Sequence, residues 1–145
     1  MFKQPEKKLK RPDLMLGDFN LVEDAIDRLP CKGDNENVVE ELQKLKHEIK
    51  VQDGWRTTYP NSKAYTHTQK PVMSRARLDR IYATEAIIRT ALDWDTEKPG
   101  IDTDHDLVSI KVTNPEAPYI GNGDGRCWPS SYKIKNSKKK LSGWP

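Results

Sequence analysis

The residue types best suited to chemistry follow a short apolar stretch near the start of the chain. The segment LMLGDFN at 14–20 runs from apolar residues into Asp18 and Asn20, two residue types that β-strands disfavour. If 14–20 is a strand, Asp18 and Asn20 project from one face and Phe19 packs on the other. A carboxylate can orient or deprotonate a water, and a carboxamide can donate to a phosphoryl oxygen as charge develops. The same residues also suit a turn, so this segment alone leaves both interpretations open.

A second group of candidates lies in the segments RLDRIY and TDHD. Asp79 is expected inside a strand, where an unpaired buried carboxylate would be costly. Its partner could be a nearby arginine in a surface ion pair, or it could be His105, whose tautomer a carboxylate would hold. Asp104, directly before His105, offers another carboxylate at the start of a strand, although a simple loop aspartate would look the same.

Short strands and a few helices must position these side chains. The clearest helix is expected from an Asn37 N-cap, with Glu40 completing a capping box and apolar residues recurring at helical spacing up to Ile49. A short helix is expected over 22–29, a turn at Asp53-Gly54, and one or two helical turns over 85–92. Apolar alternation predicts strands over 64–67, 77–83 and 107–112.

The bulk composition limits the class of protein. The 145 residues suit one domain, and 32% charged against 34% hydrophobic residues imply a thin core. A net charge of +3 permits a polyanionic partner without requiring one. Cys31 and Cys127 are far apart and form no CxxC, which argues against a zinc site and favours a reduced, intracellular protein. No apolar run reaches the length of a membrane span.

Four segments, in this order, resemble the endonuclease/exonuclease/phosphatase family, which includes deoxyribonuclease I. They are LGDFN at 16–20, YTHT at 65–68, SRARLDRIY at 74–82 and TDHDLVSI at 103–110, with His67 in place of the family's usual aromatic residue. The resemblance implies an α+β fold, a four-layer αββα sandwich in which two β-sheets face each other between helices.

The resemblance also implies roles for individual residues. Asp18 would align or deprotonate the attacking water and bind metal, and Asn20 would hold the scissile phosphate. Asp79 would position His105, which would donate to the phosphate, and Asp104 would contribute to the metal site. Two further residues would bind substrate: Thr66 and Arg77. The implied cofactor is Mg²⁺ or Mn²⁺.

The chain departs from the family in length. The family's first half, which carries the principal metal-binding Glu, is not found before 13. The resemblance therefore implies a C-terminal half-domain at 13–114, between a basic segment at 1–12 and a Pro/Gly/Lys-rich tail or linker at 115–145. A half-domain should expose the apolar face of one sheet and should have little or no nuclease activity alone.

The expected substrate is DNA, which the basic charge slightly favours. The segments GDFNLVEDAIDRLP, DGWRTTYP and IGNGDGRCWP resemble endonuclease domains of fungal non-LTR retrotransposons, so partners would be the missing half and a downstream reverse transcriptase, in the nucleus. Two alternatives stay open. One is a phosphatase or phosphodiesterase acting on phosphoinositides or small phosphate esters, and the other is a degenerate nucleic-acid-binding remnant without turnover.

Overall fold

The computed structural model describes residues 10–114, residue 117 and the backbone of residues 131–136. Its helices are α1 (Glu36–Ile49), α2 (Gly54–Thr58) and α3 (Glu85–Arg89), with 3-10 turns at Ala25–Asp27 and Lys70–Val72. Its strands are β1 (Leu14–Asp18), β2 (Arg28–Leu29), β3 (Gln52–Asp53), β4 (His67–Gln69), β5 (Ser74–Ala76), β6 (Asp79–Ala83), β7 (Ala91–Glu97), β8 (Leu107–Thr113) and β9 (Ser131–Asn136).

The described strands form three antiparallel sheets, with the orders β1-β6-β3, β2-β5-β4 and β7-β8-β9. Strand β6 lies at the centre of the first sheet and is buried along its whole length. Its register against β1 pairs Leu16 with Ile81 and Asp18 with Asp79. The first sheet therefore sets two acidic residues side by side at one of its ends.

The two faces of β6 are covered by different layers. Ile81 packs with Trp94 of β7 and with Val108 and Ile110 of β8, so the first sheet faces the β7-β8-β9 sheet. Tyr82, on the opposite face, packs in a cluster with Leu42 of α1 and Val51, which lies just beyond that helix. This confirms the predicted alternation, because successive strand residues point to opposite faces.

The described residues thus supply one helix layer and two facing sheets of a mixed α/β protein. The second helix layer of a four-layer sandwich stays a prediction. The two sheets cover each other's inner faces, and an exposed apolar sheet face stays a prediction. Within the described part of the chain, strand β1 has an open edge, and its residues are partly exposed.

Several local predictions were wrong. The segment at 22–29 holds a 3-10 turn and strand β2 instead of a helix. Asn35, not Asn37, caps α1, and its side chain accepts from the Asn37 amide at 3.0 Å. Asp53 caps helix α2 instead of forming a turn, and a Cβ at Gly54 would collide with the Trp94 ring.

Five described strands lie where the sequence pattern did not indicate them: β2, β3, β5, β7 and β9. Strand β7 was not predicted, because its polar residues obscure the alternation. Strand β9 lies within the predicted tail, where its backbone pairs with β8 from Val108 to Thr113. That part of 115–145 therefore belongs to a sheet. The rest of the tail, and the basic segment up to residue 9, lie outside the described residues.

Candidate active site

The candidate site is built on the end of the β1-β6 pair. Asp18 is the last residue of β1 and faces Asp79, the first residue of β6, across the antiparallel register. His105 approaches from the loop before β8. One ligand atom each from Asp18, Asp79 and His105 lies within 4.8 Å of the others, so these three polar side chains converge on one small region.

The shortest contact within the site joins Asp79 to His105. Asp79 Oδ2 lies 2.7 Å from His105 Nδ1, and both side chains are largely buried. The Asp79 amide donates to the Thr66 hydroxyl at 2.9 Å, and the Leu78 amide donates to the same oxygen at 3.0 Å. Thr66 is itself 1% exposed and so holds the start of β6 in place. A carboxylate bound at Nδ1 leaves Nε2 of His105 as the nitrogen available for chemistry.

The loop that carries His105 is fastened to the segment containing β4. The Thr68 amide donates to the Asp104 carbonyl at 3.0 Å, and the Asp106 amide donates to the Thr66 carbonyl at 2.6 Å. A single antiparallel bridge pairs His67 with His105. Backbone hydrogen bonds on both sides of His105 therefore fix its position, although it lies 26 residues from Asp79.

Asn20 lies beside this site in a turn. Strand β1 ends at Asp18, and Asn20 has a φ of 54°, in the left-handed region that asparagine tolerates. The backbone N–H of Asn20 donates to Asp18 Oδ1 at 2.9 Å. Of the two interpretations left open for 14–20, the structure has both in part: the strand continues to Asp18, and a turn follows at Asn20. Phe19 packs edge-on against Tyr82 as predicted, with ring centroids 4.9 Å apart.

Asp104 belongs to a second, neighbouring group. His67 Nε2 lies 3.4 Å from Asp104 Oδ2, and ligand atoms of His67, Asp104 and His105 lie within 4.8 Å of one another. A hydrogen bond from its own backbone amide lowers the pKa of Asp104, and the nearby imidazoles act in the same direction. Asp18 and Asp104, both expected to bind metal, thus fall in two groups that share His105.

The two residues expected to contact substrate, Thr66 and Arg77, are both buried. Arg77 is buried, and its guanidinium donates to both oxygens of Asp27, at 3.0 and 2.9 Å, and to Asp53 at 2.6 Å. Thr66 is buried beneath Asp79. Both side chains line one small cavity of about 20 Å³ next to Asp79. These contacts give Thr66 and Arg77 supporting roles in the fold, and their expected contact with substrate stays a prediction.

The donor set fits a divalent cation in part. Asp18 offers a carboxylate, and Asp79 is already engaged by His105, so the described residues supply fewer oxygen ligands than Mg²⁺ normally takes. Waters and substrate oxygens usually complete such a shell, which keeps Mg²⁺ compatible with this end of the sheet.

Sequence reasoning missed His67 as a site residue and missed the buried network of Arg77. The strand-like YTHT segment already placed a histidine where the related motif has an aromatic residue, and that substitution was the available signal. Asp27 and Asp53 carried no signal, because each looks like ordinary turn or cap chemistry until the fold brings it to Arg77.

Comparison with known proteins shows the fold. No family profile and no curated protein matches the chain. Among solved structures, it is similar to the 3'-5' exonuclease NExo from Neisseria meningitidis, with a TM-score of 0.55 and 21% identity over 64% of this chain. A second similar structure is the 3' phosphatase NExo (D146N) from Neisseria bound to product DNA hairpin, with a TM-score of 0.52 and 19% identity over 64% of this chain.

This likeness supports a deoxyribonuclease I-like fold over the matched part of the chain. The chain spans 42% of the length of each of these structures. The class that fold and site define is therefore a mixed α/β protein of this fold with an Asp-His pair at a sheet end. Within the described residues, no helix is long and apolar enough to cross a membrane.

Proposed function

We propose that this chain supplies the C-terminal half of a metal-dependent endonuclease site that hydrolyses DNA phosphodiesters. The observation that carries the proposal is the 2.7 Å contact between Asp79 and His105, with Asp18 directly across the strand pair. Two carboxylates beside an oriented imidazole can activate a water and offset charge on a phosphoryl group.

Each residue has a separate task in this proposal. Asp18, at the open end of β1, orients the attacking water and accepts its proton. Asp79 holds His105 through Nδ1, which leaves Nε2 to donate to a phosphoryl oxygen as negative charge develops. Asn20, exposed two residues after Asp18, contacts the phosphate. Thr66 holds the Asp79 backbone, so it acts by positioning.

A bound divalent cation would add Lewis-acid polarisation of the phosphoryl oxygens. Asp18 is the main candidate to hold it at the end of β1. Asp104, whose side chain is 62% exposed, would contribute to this ion through a bound water. We propose Mg²⁺ or Mn²⁺, because both accept carboxylate and water oxygens.

A polar cleft of mixed charge lies beside the site. It has a volume of about 600 Å³, and its charged lining residues are the cations Lys70, Arg75 and Lys98 and the carboxylates Asp102, Asp104 and Asp106. Lys98 also bonds Asp106, so it is partly neutralised there. Arg75 is exposed and lies on β5 next to the loop that carries exposed Met73. Lys70 and Arg75 would be the contacts for a phosphate backbone in this proposal.

A second candidate is removal of a 3'-terminal phosphate from DNA. One of the similar structures is described as a 3' phosphatase bound to a product DNA hairpin. The same Asp-His pair would serve a monoester. The endonuclease proposal includes five further expectations. They are the half-domain assignment, the second helix layer, the relation to fungal retrotransposon endonucleases, a downstream reverse transcriptase and a nuclear location.

An activated diester tests the chemistry on the chain as it stands. With Mn²⁺, bis(4-nitrophenyl) phosphate should be hydrolysed, because nitrophenolate leaves without protonation and an incomplete site can suffice. Asp18→Asn and His105→Gln should each lower the rate at least about tenfold, whereas His47→Gln, on exposed α1, should leave it unchanged. A DNA hairpin ending in a 3'-phosphate should compete better than an inositol phosphate. Absence of metal-dependent hydrolysis, or hydrolysis indifferent to Asp18, would refute the proposal.

A further inference from the structure

We propose that His67, Asp104 and His105 form a site for a borderline transition metal of the Zn²⁺ class, which would use Asp104 and His105 of the proposed nuclease site but not Asp18. The three residues come from two segments, β4 and the loop before β8, which the His67–His105 bridge joins. This inference concerns binding alone and does not depend on the proposed nuclease chemistry.

The geometry brings the three donors together. One ligand atom from each residue lies within 4.8 Å of the others. His67 Nε2 and Asp104 Oδ2 are 3.4 Å apart, and the two imidazole rings are tilted with centroids 4.7 Å apart. Donors this close need only small side-chain rotations to reach one ion, because Zn²⁺ ligands lie about 2.0–2.2 Å from the metal.

The donor chemistry selects the metal. Two imidazoles and one carboxylate suit Zn²⁺, Co²⁺, Ni²⁺ or Cu²⁺, whereas Mg²⁺ prefers oxygen ligands and waters. Asp79 strengthens this choice, because a carboxylate at Nδ1 of a histidine fixes its tautomer and raises the basicity of Nε2. Asp79 would thus be the outer partner of a metal-bound His105.

The site is open on one side. The side chains of His67 and His105 are about one-fifth exposed, at 22% and 20%, whereas that of Asp104 is 62% exposed. Three protein ligands with solvent access leave at least one coordination position for water or an anion. A metal there would also engage His105, so this site and the proposed phosphate contact would compete for one imidazole.

Metal binding can be measured without any substrate. Calorimetry with Zn²⁺ and absorption spectra with Co²⁺ at pH 7.5 should show one ion bound per 145-residue chain, with cobalt bands that lack thiolate charge transfer. His67→Phe restores an aromatic ring and should weaken binding at least about tenfold, as loss of a ligand normally does. Asp104→Asn, at an exposed position that leaves packing intact, should weaken it similarly.

His47 provides the matched control. It is the one histidine of the chain's three that lies outside the proposed site, and it is on helix α1. His47→Phe should bind Co²⁺ as the wild type does, and Cys31→Ser should do the same. Wild-type chain that binds no ion, or binding that survives both His67→Phe and Asp104→Asn, would overturn the inference. Loss of binding in His47→Phe or Cys31→Ser would overturn it equally.

Discussion

At the scale of single residues, the decisive feature is the residue that pairs with the Asp79 carboxylate. The sequence offered three neighbouring arginines as well as His105, and the structure places the imidazole 2.7 Å from the carboxylate. Arg77 is unavailable because it bonds Asp27 and Asp53, and Arg80 donates to the Tyr82 hydroxyl at 3.2 Å. Asp79 is 5% exposed, so without a partner its buried carboxylate would destabilise the fold.

The pairing predicts a fixed histidine tautomer. In the wild-type chain, proton–nitrogen correlation spectra should show neutral His105 with its proton on Nδ1, because the Asp79 carboxylate accepts there. Asp79→Leu removes the acceptor at similar volume, and the spectra should then show a mixture of tautomers. The His47 signals should not change. A His105 proton on Nε2 in the wild type would contradict the assigned contact.

At the scale of elements, one buried cation joins three parts of the chain. Arg77, between β5 and β6, links Asp27, the last residue of the 3-10 turn at Ala25–Asp27, to Asp53, the N-cap of α2. Arg56 adds a further contact to Asp27. Burial alone would lower the pKa of Arg77, but the hydrogen bond to Asp27 and the charge of Asp53 outweigh it and raise the pKa. The guanidinium therefore stays charged and aligns the strand that begins with Asp79.

Removing this cation should destabilise the fold strongly. Arg77→Met removes the cation that bridges Asp27 and Asp53, and of these two buried carboxylates only Asp27 keeps an ion pair with Arg56. The loss should lower the free energy of unfolding by about 3 to 5 kcal/mol. Urea denaturation followed by circular dichroism measures the change. Arg77→Lys keeps the charge without the planar fork, so its free energy of unfolding should lie between those of the wild type and Arg77→Met.

Arg75 supplies the matched control, since it lies two residues earlier on β5 and is exposed. Arg75→Met should change stability by no more than about 0.5 kcal/mol. Equal effects at 75 and 77 would show that the buried network does not align the sheets.

At the scale of the whole molecule, we propose that the chain carries one side of the candidate site. It spans 42% of the length of the similar structures, and the described part of β1 has a partner on only one side. The two described groups of ligands share His105 and offer few carboxylates to a hard cation. Hydrolysis of an unactivated DNA backbone needs a more complete charge-stabilising site than these residues form.

The purified 145-residue chain should therefore not nick supercoiled plasmid DNA with Mg²⁺, as gel electrophoresis would show. Wild-type chain and Asp18→Ala should give the same background. Magnesium-dependent nicking that disappears in Asp18→Ala would show instead that the site is complete, and it would replace the half-domain proposal with an intact small enzyme.

Local patterns in the sequence determined the elements whose signal is periodic. Helix α1 follows from apolar residues at helical spacing, and β6 and β8 follow from alternation, because these patterns depend only on near neighbours. The motifs around Asp18, Asp79 and His105 indicated a deoxyribonuclease I-like fold, which the structural likeness supports. The sequence patterns missed the element type at 22–29 and the strands β2, β3, β5, β7 and β9, because short or polar elements carry little periodicity.

Only the tertiary structure decided which polar groups meet. Asp79 could pair with several cations in the sequence, and the docking of the 103–106 loop beside β4 selected His105. The same docking places His67 next to Asp104, and Arg77 is buried, where it bonds Asp27. Periodicity fixes the face on which a side chain lies, whereas a partner 26 or 50 residues away depends on strand register and loop closure, which no local pattern contains.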